Sequence, residues 1–476
     1  VIATGSTRDI AALALPSTRV VRLAGHTVLP GLIDSHCHFE FAGMAGHAVS
    51  FAGVRTLDAA LDRVTELAAT LAPDAWVRGQ MWNPLLQVGR APTREELDRA
   101  AGGRPVFLAE GHAASVSTAA LRRAGLDPDG HDGRLVEGDV HVVAQVVPEW
   151  SAEERATQLT AAMRVLNEHG ITSVVAGALP PSDVDVLRQL AESGASMVRV
   201  AAMVTPTGEL NPSVSLDEWR ALLADGPPKP VGDRYLTRGI KLQVDGGMTL
   251  GTAATREPYE NRPGYHGELF VDRARLTELV AAAHDAGWPV GTHVVGDAAI
   301  DLALDVYEAT RGGPALPDVL IHASLIRPDQ IARARALGVQ VAAQLPFLWR
   351  NHATIAGHLG DRADAAVPLR DLVDGLGPDG VAAGTDYPVN DLDPWQNIHA
   401  MTTRQDAHGR VVGAAQAITR DEALRLYTTS GAAHTGEQAI KGRIAPGFLA
   451  DLVVRDDHRT VMTIVDGQVV HDTEEM

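Results

Sequence analysis

One cysteine, Cys37, stands in a chain of 476 residues. That excludes an intrachain disulfide and a zinc cluster built on cysteines. Aromatic residues make up only 4% of the chain, and basic residues are outnumbered, 41 Lys and Arg against 60 Asp and Glu. The resulting net charge of −19 disfavours nucleic acid and anionic membranes as partners. No run of 18 apolar residues occurs, so no membrane span is expected. The opening residues, VIATGSTRDI, lack the basic and apolar regions of a signal peptide, which leaves the cytoplasm as the expected location. What is present is a 45% apolar composition, suited to a sizeable core, and 19 histidines.

Short apolar, β-branched runs alternate with amphipathic helical stretches. The runs are GLIDSH (31–36), TSVVAG (172–177), MVRVAAMV (197–204), GIKLQVDGG (239–247), WPVGTHVVG (288–296), DVLIHAS (318–324), VQVAAQ (339–344) and GVAAGTDYP (380–388). Alternation of this kind gives a parallel sheet, and eight units predict a closed (β/α)8 TIM barrel; an open doubly wound sheet is the runner-up. The barrel is expected over 30–434, with an insertion of about 40–170 after its first strand. Segments 1–29 and 435–476 read as strands, the last with an Asp-Gly turn, and predict a small β-sandwich domain built from both termini and short of N-terminal strands.

Two of the histidines, His36 and His38, form the only His-x-His in the chain. Roughly one such pair is expected by chance, so the setting decides its meaning. Residues i and i+2 of a strand share a face, which lets both rings point to the barrel axis while Cys37 packs away from it. Lys241 lies in the fourth predicted strand, His293 ends the fifth, His322 the sixth and Asp386 the eighth. Barrel sites of this kind lie at the C-terminal ends of the strands, so all six converge on one mouth. Imidazoles and carboxylates suit zinc and related divalent ions. A lysine among apolar strand residues is costly unless paired or modified. Its alternatives are a salt bridge, with Asp245 as the nearest candidate, or a carbamate formed with carbon dioxide, whose oxygens can bridge two cations.

These segments resemble the amidohydrolase superfamily, in particular its amidohydrolase 3 or YtcJ-like metal-dependent hydrolases. VLPGLIDSHCHF resembles the first-strand signature, and GIKLQVDGGMTLGTAA the lysine strand and its loop. VGTHVVGDAAI, LIHASLI, AAGTDYPV and KGRIAPGFLADLVV follow in the family's order. The resemblance implies two zinc ions held by His36, His38, carboxylated Lys241, His293, His322 and Asp386. It assigns the more buried ion to His36, His38 and Asp386, and the more exposed one to His293 and His322. Asp386 would also be the general acid and base, moving a proton from a metal-activated hydroxide to the leaving group. Gly247, Val175-Ala176 and Glu110 depart from residues the family often carries there, which puts an inherited substrate in doubt and leaves the ligands intact.

The expected activity is hydrolysis of a C–N bond in a small molecule, as in an amide or carbamate. Alternatives are a mononuclear deaminase, a lactonase or esterase, and a catalytically silent barrel. His112, Trp82, Tyr259 and His266 are the candidate substrate contacts, each with a structural role as its alternative. The loop 246–268 is long for a strand-to-helix connection and is a lid candidate. Asp297 is expected to cap the helix after the fifth strand, and Asp34 to be structural. A homodimer is the base-rate expectation.

Overall fold

The computed structural model describes residues 1–23, 25–44, 47–51, 53–79, 82, 84–110, 113–136, 138–206, 214–312, 314–456 and 459–473. Strand β1 (Thr27–Pro30) leads directly into β2 (Leu32–Cys37). The next four strands are β3 (Val77–Gly79), β4 (Val106–Ala109), β5 (Ala113–Val116) and β6 (Arg134–Val136). Seven more follow: β7 (Ile171–Leu179), β8 (Arg199–Val204), β9 (Tyr235–Gln243), β10 (Val290–Val294), β11 (Val319–His322), β12 (Gln340–Ala343) and β13 (Val381–Ala383). The last three are β14 (Leu452–Arg455), β15 (Thr460–Val465) and β16 (Gln468–Asp472).

Eight strands make one sheet in the order β13-β12-β11-β10-β9-β8-β7-β2, with every neighbouring pair parallel. This is the predicted barrel. Its strands are buried on both faces, which is why they read as near-continuous apolar runs. Val175, Ala201, Met203, Val319, Ile321 and Ala342 pack together as one apolar layer. The first and last strands meet just past the ladder, where Asp386 N–H donates to His36 O at 2.9 Å and His38 N–H to Tyr387 O at 2.8 Å. Helices cap as the sequence indicates: Ser215 and Asp272 accept from the first turns of their helices, and Gly338 ends another in the left-handed conformation.

A separate antiparallel sheet, in the order β1-β14-β15-β16, joins the two ends of the chain. Asp466 (φ 57°) and Gly467 (φ 77°) make the tight turn between β15 and β16. Segment 1–29 holds less strand than its sequence predicts. Only Thr27–Pro30 pairs, and Val20 is 70% exposed with no strand partner among the described residues. Residues Glu40–Ala162 form their own compact unit. Its sheet runs β3-β4-β5-β6, the first pair parallel and the others antiparallel, over two apolar clusters of its own. Among the described residues, no helix is long and apolar enough to cross a membrane.

Candidate metal centre

The polar end of β2 is built by tight local packing. Asp34 is fully buried and accepts from His36 N–H at 3.1 Å. It also accepts from Thr385 N–H at 3.1 Å and from the Thr385 hydroxyl at 2.7 Å. One carboxylate thus ties the His36 backbone to the residue before Asp386, which bears out its structural reading. Gly384 permits the approach, since a Cβ there would lie 2.6 Å from His36 N. Gly177 opens the other flank: its Cβ would lie 2.8 Å from His38 Cε1 and 2.9 Å from His36 Cε1.

The site residues converge. His36 Nε2 stands 3.4 Å and His38 Nε2 3.6 Å from Asp386 Oδ1. Ring centroids are 5.3 Å apart for His36 and His38, 5.4 Å for His36 and His322, and 4.6 Å for His293 and His322. Donor atoms of His36, His322 and Asp386 all lie within 4.8 Å of one another. The triad draws His36 and Asp386 from the set expected for one ion and His322 from the set expected for the other. Ile321 packs in the interior layer, so a regular strand would turn His322 outward. Instead His322 adopts φ 73°, and Asp386 adopts φ 55°. Such left-handed backbones cost about 1–3 kcal/mol each. At His322 the strain redirects the side chain into the mouth.

Lys241 stands beside Gly291 of β10 in register and is 2% exposed. Its Nζ has no hydrogen-bond partner. The expected alternative, a salt bridge to Asp245, is not formed. Asp245 instead accepts from the backbone N–H groups of Ala254, Val295 and Gly296 at 2.8–2.9 Å. Burial pushes the Lys241 amine down to about 7, against the pull of Asp386. Burial, then the positive neighbours, holds His36 and His322 well below the ordinary imidazole range and His293 at about 3. Burial lifts Asp34 and Asp245 to about 7, opposed by the hydrogen bonds they accept. At neutral pH the three rings are therefore uncharged, with lone pairs available. Buried imidazole nitrogens, a carboxylate and an unpartnered amine around one point form a donor set that fits divalent metal.

The sequence pattern of the amidohydrolase family matches residues 19–471. The chain belongs to that family. YtcJ of Bacillus subtilis (strain 168) is 26% identical over 499 residues, covering 96% of this chain and 91% of that protein. N-substituted formamide deformylase of Arthrobacter pascens is 26% identical over 483 residues, covering 95% and 87%. Among solved structures, an uncharacterized metal-dependent hydrolase of Pyrococcus horikoshii OT3 superposes with a TM-score of 0.77 at 27% identity, covering 94% of this chain and 90% of that one. The chain is thus an amidohydrolase by family, and the solved structure it superposes on is a metal-dependent hydrolase.

The expected substrate contacts fare differently from the ligands. His112 lies outside the described residues. Trp82 is 2% exposed in a core of the Glu40–Ala162 unit and stacks on Phe51 at 4.2 Å, so it packs as its structural alternative predicts. Tyr259 is buried and donates its hydroxyl to Ala253 O at 2.8 Å. His266 is exposed, with Nδ1 3.1 Å from Thr255 O. The loop 246–268 is pinned rather than free. Asp245 holds Ala254, Glu260 N–H donates to His358 O at 2.9 Å, and Arg256 pairs with Asp301 at 2.6 Å. Asp297 does not cap its helix. Gly296 holds that position, and Asp297 accepts from Arg256 N–H at 2.8 Å and pairs with Arg327 at 3.0 Å.

Proposed function

We propose that this amidohydrolase cleaves a C–N bond of a small-molecule amide, carbamate or related compound, using two divalent ions, zinc by donor chemistry. The observation that carries the reading is the Lys241 amine, buried and unpartnered within a ring of neutral imidazoles. A neutral amine attacks carbon dioxide, forms an N–C bond and releases one proton. The carbamate anion then offers two oxygens where an ammonium would repel cations. His36, His38 and Asp386 would hold one ion, His293 and His322 the other, with Lys241 between them. Bound divalent ions supply Lewis acidity that activates water and polarises a carbonyl.

The chain's own residues do the rest. Asp386, set by the Asp34 tie, takes a proton on its carboxylate and returns it to the leaving nitrogen. Asp34 and Thr385 keep that carboxylate facing His36 and His38. The name of the Arthrobacter relative, an N-substituted formamide deformylase, supports an amide over an ester. A mononuclear deaminase is disfavoured by Lys241, since one ion needs no bridge.

Elemental analysis of protein produced with zinc tests this directly. Two tightly bound ions per chain are expected. One ion per chain that a zinc titration fails to raise would reject the bridge and favour the deaminase. None after the same titration would leave the barrel a scaffold.

A further inference from the structure

Strand β12 ends at Ala343, and a helix begins almost at once: Leu345 holds its N-cap position and the helix runs Pro346–Leu359. Proline suits the first helical position, because its fixed φ matches the helix and its missing N–H is one the first turn would leave unused. So short a connection keeps Phe347 at the mouth of the barrel. Leu345, Pro346 and Leu348 on either side of it are buried, whereas the Phe347 ring is only half-buried. That ring stands edge-on to His322, with centroids 5.7 Å apart and an interplanar angle of 85°. Among the described residues, Phe347 is the one aromatic side chain other than histidine whose ring packs on a candidate metal ligand. Its backbone is held as well. The Asn351 side-chain amide donates to Phe347 O at 3.2 Å, where Asn351 (φ −120°, ψ 16°) breaks the helix.

We infer that Phe347 is a specificity-determining residue: its ring forms an apolar wall beside His322 that selects substrates bearing an aryl or branched alkyl group next to the bond cut. An aromatic side chain fixed through its backbone and partly open to water gains contact when an apolar group covers it. A carboxylate in the same place would lose its hydration and find no hydrogen-bond donor on the ring. The inference rests on the hydrolase reading above and adds to it the chemical class of the substituent.

Two measurements on zinc-loaded protein test this. The first is kcat/KM for matched amides whose substituent is benzyl, methyl or carboxymethyl, carried on the nitrogen in one series and on the acyl carbon in the other. The second is the Kd of benzohydroxamate and of acetohydroxamate by calorimetry, since hydroxamates ligate zinc whether or not an amide is turned over. Wild type, Phe347→Ala and Phe347→Leu are compared, the last keeping apolar bulk without the ring, and zinc content and melting temperature are recorded for all three. Wild type should favour the benzyl member over the carboxymethyl member in at least one series. In Phe347→Ala that preference, and the preference for benzohydroxamate, should fall by about tenfold, with Phe347→Leu in between. Preferences unchanged in both variants overturn the inference and leave the hydrolase reading standing. An equal loss on every member, with zinc lost or kept, also overturns it, because Phe347 would then only buttress His322. If no amide is turned over, the hydroxamates decide. A preference lost in Phe347→Ala then rejects the hydrolase reading and keeps the apolar wall, and an unchanged preference rejects both.

Discussion

The ring of candidate metal ligands and the loop 246–268 sit on the same barrel, and both are rich in groups that could do chemistry. They differ in one respect. In the loop and at its base, Asp245, Tyr259 and Arg256 all have partners inside the protein. In the ring, the Lys241 amine is buried without one. Paired groups have spent their bonding capacity on holding the chain in place. Groups kept dry and unpaired lower stability and persist where something from outside completes them. Between Lys241 and this loop, partnership marks the difference better than residue type does.

The strongest way to break this contrast is Lys241→Met. Activity of the zinc-loaded protein should fall by about 10³-fold or more, and the count of bound ions should drop below two, read by steady-state kinetics and elemental analysis. The metal-free variant should nevertheless unfold at higher urea than metal-free wild type, because an unpartnered buried amine is gone. That advantage depends on pH. The folded amine titrates near 7 and a free lysine at 10.5. Between those values the unfolded chain holds a proton that the native chain has lost, so wild-type stability rises with pH. The gap between the two proteins should narrow from pH 7 upward. A gap that widens would show that the amine is paired in the folded state.

Asp245→Ala probes the other side of the contrast. Three backbone N–H groups lose their acceptor, and the cost should be about 3 kcal/mol in urea unfolding. Proteolytic cleavage within 246–268 should appear in the same variant. Unchanged stability would mean that the loop is held elsewhere. The smallest effect belongs to Tyr259→Phe, which removes one hydrogen bond to Ala253 O. It should cost about 1 kcal/mol and leave kcat/KM within about twofold. A large loss of kcat/KM would move Tyr259 from scaffold to site.

The same contrast explains what could be read from the sequence. The barrel strands were legible because burial on both faces leaves an apolar, β-branched signature. His36, His38, Lys241, His293, His322 and Asp386 were legible because each stands at or near the end of such a run. The roles of Trp82, Tyr259 and His266 were not, since sequence cannot show whether a polar or aromatic group finds a partner at home. Asp245 was legible only as a charge near Lys241; its donors are Ala254, in the loop that follows, and Val295 and Gly296, about 50 residues on. The helices Pro346–Leu359 and Pro394–Thr403 also escaped. In the first, Asn351 breaks the helical geometry.

The seam between β2 and β13 has a consequence in time. His36 and His38 leave the ribosome first, and Asp386 follows about 350 residues later. At roughly 5–20 residues per second, that interval lasts about 20–70 s. Throughout it the two imidazoles have neither Asp386 nor the β13 edge to lie against. The His36, His322 and Asp386 cluster thus comes into being only when the last strand of the barrel docks beside the first, late in the making of each chain.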